Sequence, residues 1–163
     1  MFFHENAGNI GLRLDYFAQL YHHADLQADI LAVAYRGYSD SSGKPSEKGL
    51  KLDGKAVLKY VNENLAKHYE NKGGIFVLGR SLGGAVAAAS VSDPNTSTYH
   101  LDGVILENTF TSISDMVDHV FYLVSFFKGL ILRMGWYTSE LVPNLEMPVL
   151  YVTGDKDEIV PFE

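Results

Sequence analysis

Five short apolar or β-branched runs are spaced along the chain at Met1–Phe3, Asp29–Tyr35, Gly74–Leu78, Leu101–Leu106 and Pro148–Thr153, each with Gly, Ser, Asn or Asp close behind it. Runs of this length bounded by such residues read as buried strands. Between them lie longer stretches of helical character at Gly11–Leu26, Glu47–Tyr69, Leu82–Ser92 and Ile113–Gly135, the last long enough for two helices. Strand and helix in alternation predict an α/β fold. The expected form is a three-layer α/β/α sandwich around a mainly parallel sheet of about five strands. A length of 163 residues leaves room for one domain. Within the second helical stretch Ser46 is the candidate N-cap, and Leu50, Val57, Leu58, Val61 and Leu65 recur at helical spacing to give one apolar face.

In an open parallel sheet, ligands bind outside the carboxyl ends of the strands, so chemistry is sought in the loops behind the five runs. The sharpest such loop is Gly79-Arg80-Ser81-Leu82-Gly83-Gly84, a G-x-S-x-G element between the run ending at Leu78 and the helix-prone Ala85–Ala89. A nucleophile elbow needs this setting: glycines let the chain turn sharply from strand to helix, and the serine is pushed out above the sheet. Its hydroxyl can attack a carbonyl, while the amide of Leu82 and the helix N-terminus stabilise the oxyanion that develops. A dinucleotide fingerprint fits poorly, because Ser81 stands where the second glycine of G-x-G-x-x-G is required.

Two more loops fall at the same end of the sheet. His4-Glu5-Asn6-Ala7-Gly8-Asn9 either supplies a further oxyanion donor or is a polar turn with Asn9 as the N-cap of the next helix. Gly154–Pro161 places Asp155, Asp157 and Glu158 behind the last run, where Asp157 either orients a histidine or belongs to a solvated acidic turn. Tyr35-Arg36-Gly37-Tyr38 shapes the loop rim or forms a structural turn.

Composition narrows the function further. With 13 basic against 20 acidic residues and no basic cluster, nucleic acid is not an expected partner. There is no cysteine, so any nucleophile is an oxygen or an amine, and no His/Asp/Glu set has metal-ligand spacing. Neither a metal nor another cofactor is expected. Val120–Trp136 is the most membrane-like stretch, but it contains Lys128 and Arg133 and falls short of the roughly 20 apolar residues a spanning helix needs. Phe121–Trp136 is either a cap that meets an acyl chain or a membrane surface, or part of the core.

MFFHENAGNIG, YRGY with GKPSEKGL, GRSLGGAVA, ENTF and GDKDEIVP occur in that order over Met1–Pro161. Together they resemble the α/β-hydrolase superfamily, and within it the eukaryotic bud-emergence type of abhydrolase-domain-containing proteins, related to serine aminopeptidase-like and depalmitoylase-like hydrolases. The resemblance implies Ser81 as nucleophile, Asp157 as triad acid, and an oxyanion hole from the backbone amides of Asn6 and Leu82. It implies a sheet with the second run at one edge, followed by the first, third, fourth and fifth. Many relatives carry His-Gly where this chain has His4-Glu5.

The activity implied is hydrolysis of an ester, thioester or amide through an acyl-enzyme, without a cofactor, on a small-molecule or acylated-protein substrate. The family's N-terminal membrane anchor would make the parent protein membrane-associated; no specific protein partner is implied. The family's histidine follows the acid by a few tens of residues, whereas Glu163 lies six residues past Asp157. Residues 1–163 are therefore expected to be a single partial hydrolase domain, with a cap or lid segment at residues 111–137. Of the six histidines, His119 is the one placed to improvise as base, and the alternative to an enzyme is a catalytically silent fragment or binding module.

Overall fold

The computed structural model of the chain describes residues 1–69, 73–113, 135–155 and 157. Five strands, β1 (Phe2–Phe3), β2 (Ala32–Val33), β3 (Phe76–Arg80), β4 (Gly103–Glu107) and β5 (Val149–Val152), form one sheet in the order β2-β1-β3-β4-β5. Every neighbouring pair is parallel. The fold is thus α/β, with the strand order that the resemblance implied.

The helices that flank it begin where the sequence signals them. Asn9 accepts a hydrogen bond from the Leu12 amide and opens a 3-10 turn, Ile10–Arg13, which runs into α1 (Leu14–His22). Ser46 accepts from the Gly49 amide and caps α2 (Glu47–Asn64), which buries Leu50, Leu58 and Val61. A short α3 (Ala66–Tyr69) follows, then α4 (Leu82–Val91) behind β3 and α5 (Thr138–Leu141) before β5. All ten residues of α4 are buried, which its alanine-rich, apolar circumference permits.

The main core lies between the sheet and the helices α2 and α4. It gathers Phe3, Tyr35, Leu50, Leu58, Val77, Val86, Val104 and Leu106. On the other face α1 packs over β1, where the ring of Phe17 meets Phe2 edge-on at 5.0 Å. Successive strand residues point to opposite faces, so Phe76, Leu150 and Val152 share this second face, each more than 40% exposed.

Some expected boundaries move. The run Asp29–Tyr35 gives only two strand residues, because its ladder is limited by β1, itself two residues long. The first helix ends at His22, and Leu26 and Gln27 both turn their amides back onto the His23 carbonyl. The second divides at Leu65. Most of the stretch Ile113–Gly135, including His119, lies outside the described residues.

Candidate active site

Ser81 joins β3 to α4 with φ 52° and ψ −118°, a left-handed backbone that a residue with a side chain adopts only at a cost. Its amide donates to the Glu107 carbonyl at 2.8 Å, which ties the turn to the end of β4. The glycines around it are required by close approach. A Cβ on Gly79 would overlap the backbone of Gly83, and one on Gly84 the hydroxyl of Thr109. The serine hydroxyl does not cap the helix it precedes. Among the described residues it has no hydrogen-bond partner, and the Leu82 amide has no acceptor, as expected for a first-turn helical N–H.

The His4–Asn9 loop behind β1 is held from two sides. His4 is 1% exposed; its Nδ1 stands 2.6 Å from the Glu5 carbonyl oxygen, and its ring lies 4.3 Å from that of Tyr35. Nδ1 therefore carries the proton, and Nε2 is buried without a partner among the described residues. Burial pulls the imidazole below the usual histidine range, against the opposing pull of the Glu5 carbonyl and carboxylate. The Glu5 side chain pairs with Arg13 at 2.8 Å, and Arg13 also donates to the Ala7 carbonyl. The Asn6 side chain accepts from the Tyr38 hydroxyl at 2.5 Å, and its main-chain N–H has no acceptor among the described residues.

Asp157 is half-buried in the turn behind β5, its amide donating to the Gly154 carbonyl at 3.1 Å. That turn is fastened by Asn108, which the sequence reading did not single out. Asn108 has φ 46°, receives the Gly154 amide on its Oδ1 at 3.2 Å, and donates its own amide to Val152. Asparagine tolerates this backbone better than most residues, and its place directly behind a strand was the available signal.

A second group missed by sequence reasoning flanks the elbow. Glu107 accepts from the Tyr16 hydroxyl at 3.1 Å and pairs with Arg80 at 3.6 Å, while the Arg80 guanidinium lies 5.6 Å from the centre of the Tyr16 ring. Burial, with the Glu107 carboxylate adding to it, pushes the Tyr16 phenol up to about 12.

None of the described histidines is hydrogen-bonded to Ser81. His4 is locked in its loop, His22 and His23 end α1, and His68 lies in α3. His100 pairs with Asp102 at 3.3 Å, and Asp102 receives the Ile75 amide at the start of β3, the opposite end of the sheet. The two ends of the expected cap meet: Ile113 donates to the Gly135 carbonyl at 3.3 Å, and Gly135 donates to Glu47 at 2.8 Å. Residues 114–134 between them lie outside the described residues. Among the described residues no group of three or more His, Asp or Glu side chains is placed to hold a metal ion, and no helix is long and apolar enough to cross a membrane.

Residues 3–126 match the family described as "Putative serine esterase (DUF676)". The chain is 40% identical over 162 residues to protein bem46 of Schizosaccharomyces pombe, an alignment covering 99% of the chain and 52% of that protein. It is 38% identical over 161 residues to an uncharacterized membrane protein of Saccharomyces cerevisiae, with 96% and 52% covered. It is 29% identical over 175 residues to the lysophosphatidylserine lipase ABHD12 of Danio rerio, with 100% and 44% covered. The chain spans about half the length of these relatives.

Proposed function

Because the chain belongs to this serine-esterase family of the α/β-hydrolase superfamily, we propose that Ser81 is the nucleophile of an ester-hydrolysing site. The observation that carries the reading is the strained turn at Ser81, which holds a hydroxyl free of any capping bond at the N-terminus of α4. Serine Oγ attacks the substrate carbonyl carbon as a histidine takes its proton, and the negative charge moves to the carbonyl oxygen. The amides of Asn6 and Leu82 hold that oxyanion. Collapse of the tetrahedral intermediate expels the alcohol, which leaves with the proton from the base, and water then releases the acyl group as a carboxylic acid. Asp157 orients the base.

The relatives are about twice as long as the chain, and we place the base in the part they have beyond it. The absence of a histidine bonded to Ser81 among the described residues favours a second reading of the 163 residues taken alone: they bind an ester without turning it over. An unassisted serine hydroxyl is a poor nucleophile near neutral pH. The lipase among the relatives supports a lipid-like ester as substrate, with thioesters and amides as weaker candidates, and the relative named a membrane protein supports action at a membrane surface.

The test is a burst assay with p-nitrophenyl butyrate on a polypeptide of the relatives' length. A stoichiometric burst of p-nitrophenol that disappears in Ser81→Ala is expected. A burst that survives Ser81→Ala would place the nucleophile elsewhere.

A further inference from the structure

The Tyr35-Arg36-Gly37-Tyr38 turn grips the His4–Asn6 loop at two points. Tyr38 donates its amide to the Tyr35 carbonyl at 3.0 Å, closing a turn in which Gly37 has φ 77° and lies so near Pro45 that a Cβ would stand 2.6 Å from its ring. Both phenols thereby reach the same neighbour. Tyr35, wholly buried, donates to the His4 carbonyl at 3.2 Å, and Tyr38, 8% exposed, donates to the Asn6 carboxamide oxygen at 2.5 Å. From the opposite side α4 presses on the same loop, with Gly83 against the carbonyls of Phe3 and His4.

Asn6 is thus fixed through its side chain while its main-chain N–H is left without an acceptor among the described residues. A donor for an oxyanion needs this combination, because its value lies in being aimed before charge develops, and a misplacement of about 1 Å can cost a hundredfold in rate. Packing alone does not require the Tyr38 hydroxyl, since its ring already meets that of His4 edge-on at 5.1 Å.

We propose that Tyr38 is a positioning residue: its hydroxyl pins the Asn6 side chain so that the Asn6 amide stays aimed as an oxyanion donor. The proposal rests on the reading of Ser81 and Asn6 given above.

Tyr38→Phe keeps the ring and removes the pin. In a polypeptide of the relatives' length, kcat for p-nitrophenyl butyrate should fall at least about tenfold with KM within about twofold, and the backbone order parameter at Asn6 should drop from about 0.85 to below about 0.6. Asn6→Ala keeps the main-chain amide but loses the same pin, so it should slow turnover similarly, and the double variant should be no slower than the slower single. An unchanged Asn6 order parameter in Tyr38→Phe, additive losses in the double variant, or a mobile Asn6 with undiminished kcat would each overturn the proposal. If the parent protein shows no turnover at all, the esterase reading fails, and the relaxation measurement still decides whether Tyr38 holds Asn6.

Discussion

Gly83, in the first turn of α4, lies so close to the Phe3 carbonyl that a side-chain carbon there would overlap its oxygen and stand 2.9 Å from that of His4. This contact sets the elbow and the His4–Asn6 loop at one level, although 80 residues separate Gly83 from Phe3 in the chain. The two amides proposed for the oxyanion, Leu82 and Asn6, flank it.

Gly83→Ala should therefore damage both stability and site. The backbone on either side has nowhere to move, so a loss of about 3 kcal/mol or more is expected. Denaturant melts of the variant against the parent check this. A change below about 0.5 kcal/mol would mean that the approach of α4 to β1 is loose.

Ser81 should be a stability liability. A non-glycine residue held at φ 52° costs about 1–3 kcal/mol, and glycine there relieves most of it while losing some chain entropy. Ser81→Gly is expected to gain about 1 kcal/mol, or a rise of about 3 °C in Tm, while abolishing any acyl transfer. A lower Tm would contradict the strain.

At high pH the phenols of Tyr16 and Tyr38 should contribute to a loss of stability. Burial, helped by Glu107, pushes Tyr16 up to about 12, and burial pushes Tyr38 up to about 12. In the unfolded chain both ionise near 10. Stability is thus fully present below pH 10 and falls as pH climbs through 12, because only the unfolded chain sheds these protons. Tyr16→Phe and Tyr38→Phe should each flatten the decline in melts taken from pH 9.5 to 11.5; an unchanged slope in both would refute it.

At mildly acid pH the corresponding group is His4. Burial holds its imidazole below 6.5, so the unfolded chain takes up a proton that the folded chain refuses. Stability should fall as pH drops below about 6.5. Comparing melts between pH 7.5 and 5.5, His4→Gln should show a shallower loss than the parent, whatever its offset in absolute stability. Equal slopes would assign the acid loss to other groups.

Much of this architecture is local in origin and therefore legible in the residues. Five apolar runs gave five strands, Ser46 caps where it was expected to, Asn9 caps as one of the two readings of its loop had it, and the glycines around Ser81 mark an elbow. The strand order came from the resemblance rather than from any one run. What escaped depends on partners distant in sequence. The lengths of β1 and β2 are set by their mutual ladder, and the bond from Tyr38 to Asn6 spans 32 positions. Asn108 and Glu107 act through residues up to 91 positions away, so their roles appear only once the strands are side by side.

The central claim is that Ser81 is the nucleophile of a polypeptide of the relatives' length. Its most direct test is labelling with a fluorophosphonate probe, read by intact and peptide mass, on the 163 residues alone and on the extended polypeptide. One adduct on Ser81 of the extended polypeptide is predicted, absent from Ser81→Ala and formed far more slowly on the short chain. A folded extended polypeptide that takes no adduct at Ser81, or labels equally in Ser81→Ala, would contradict the account.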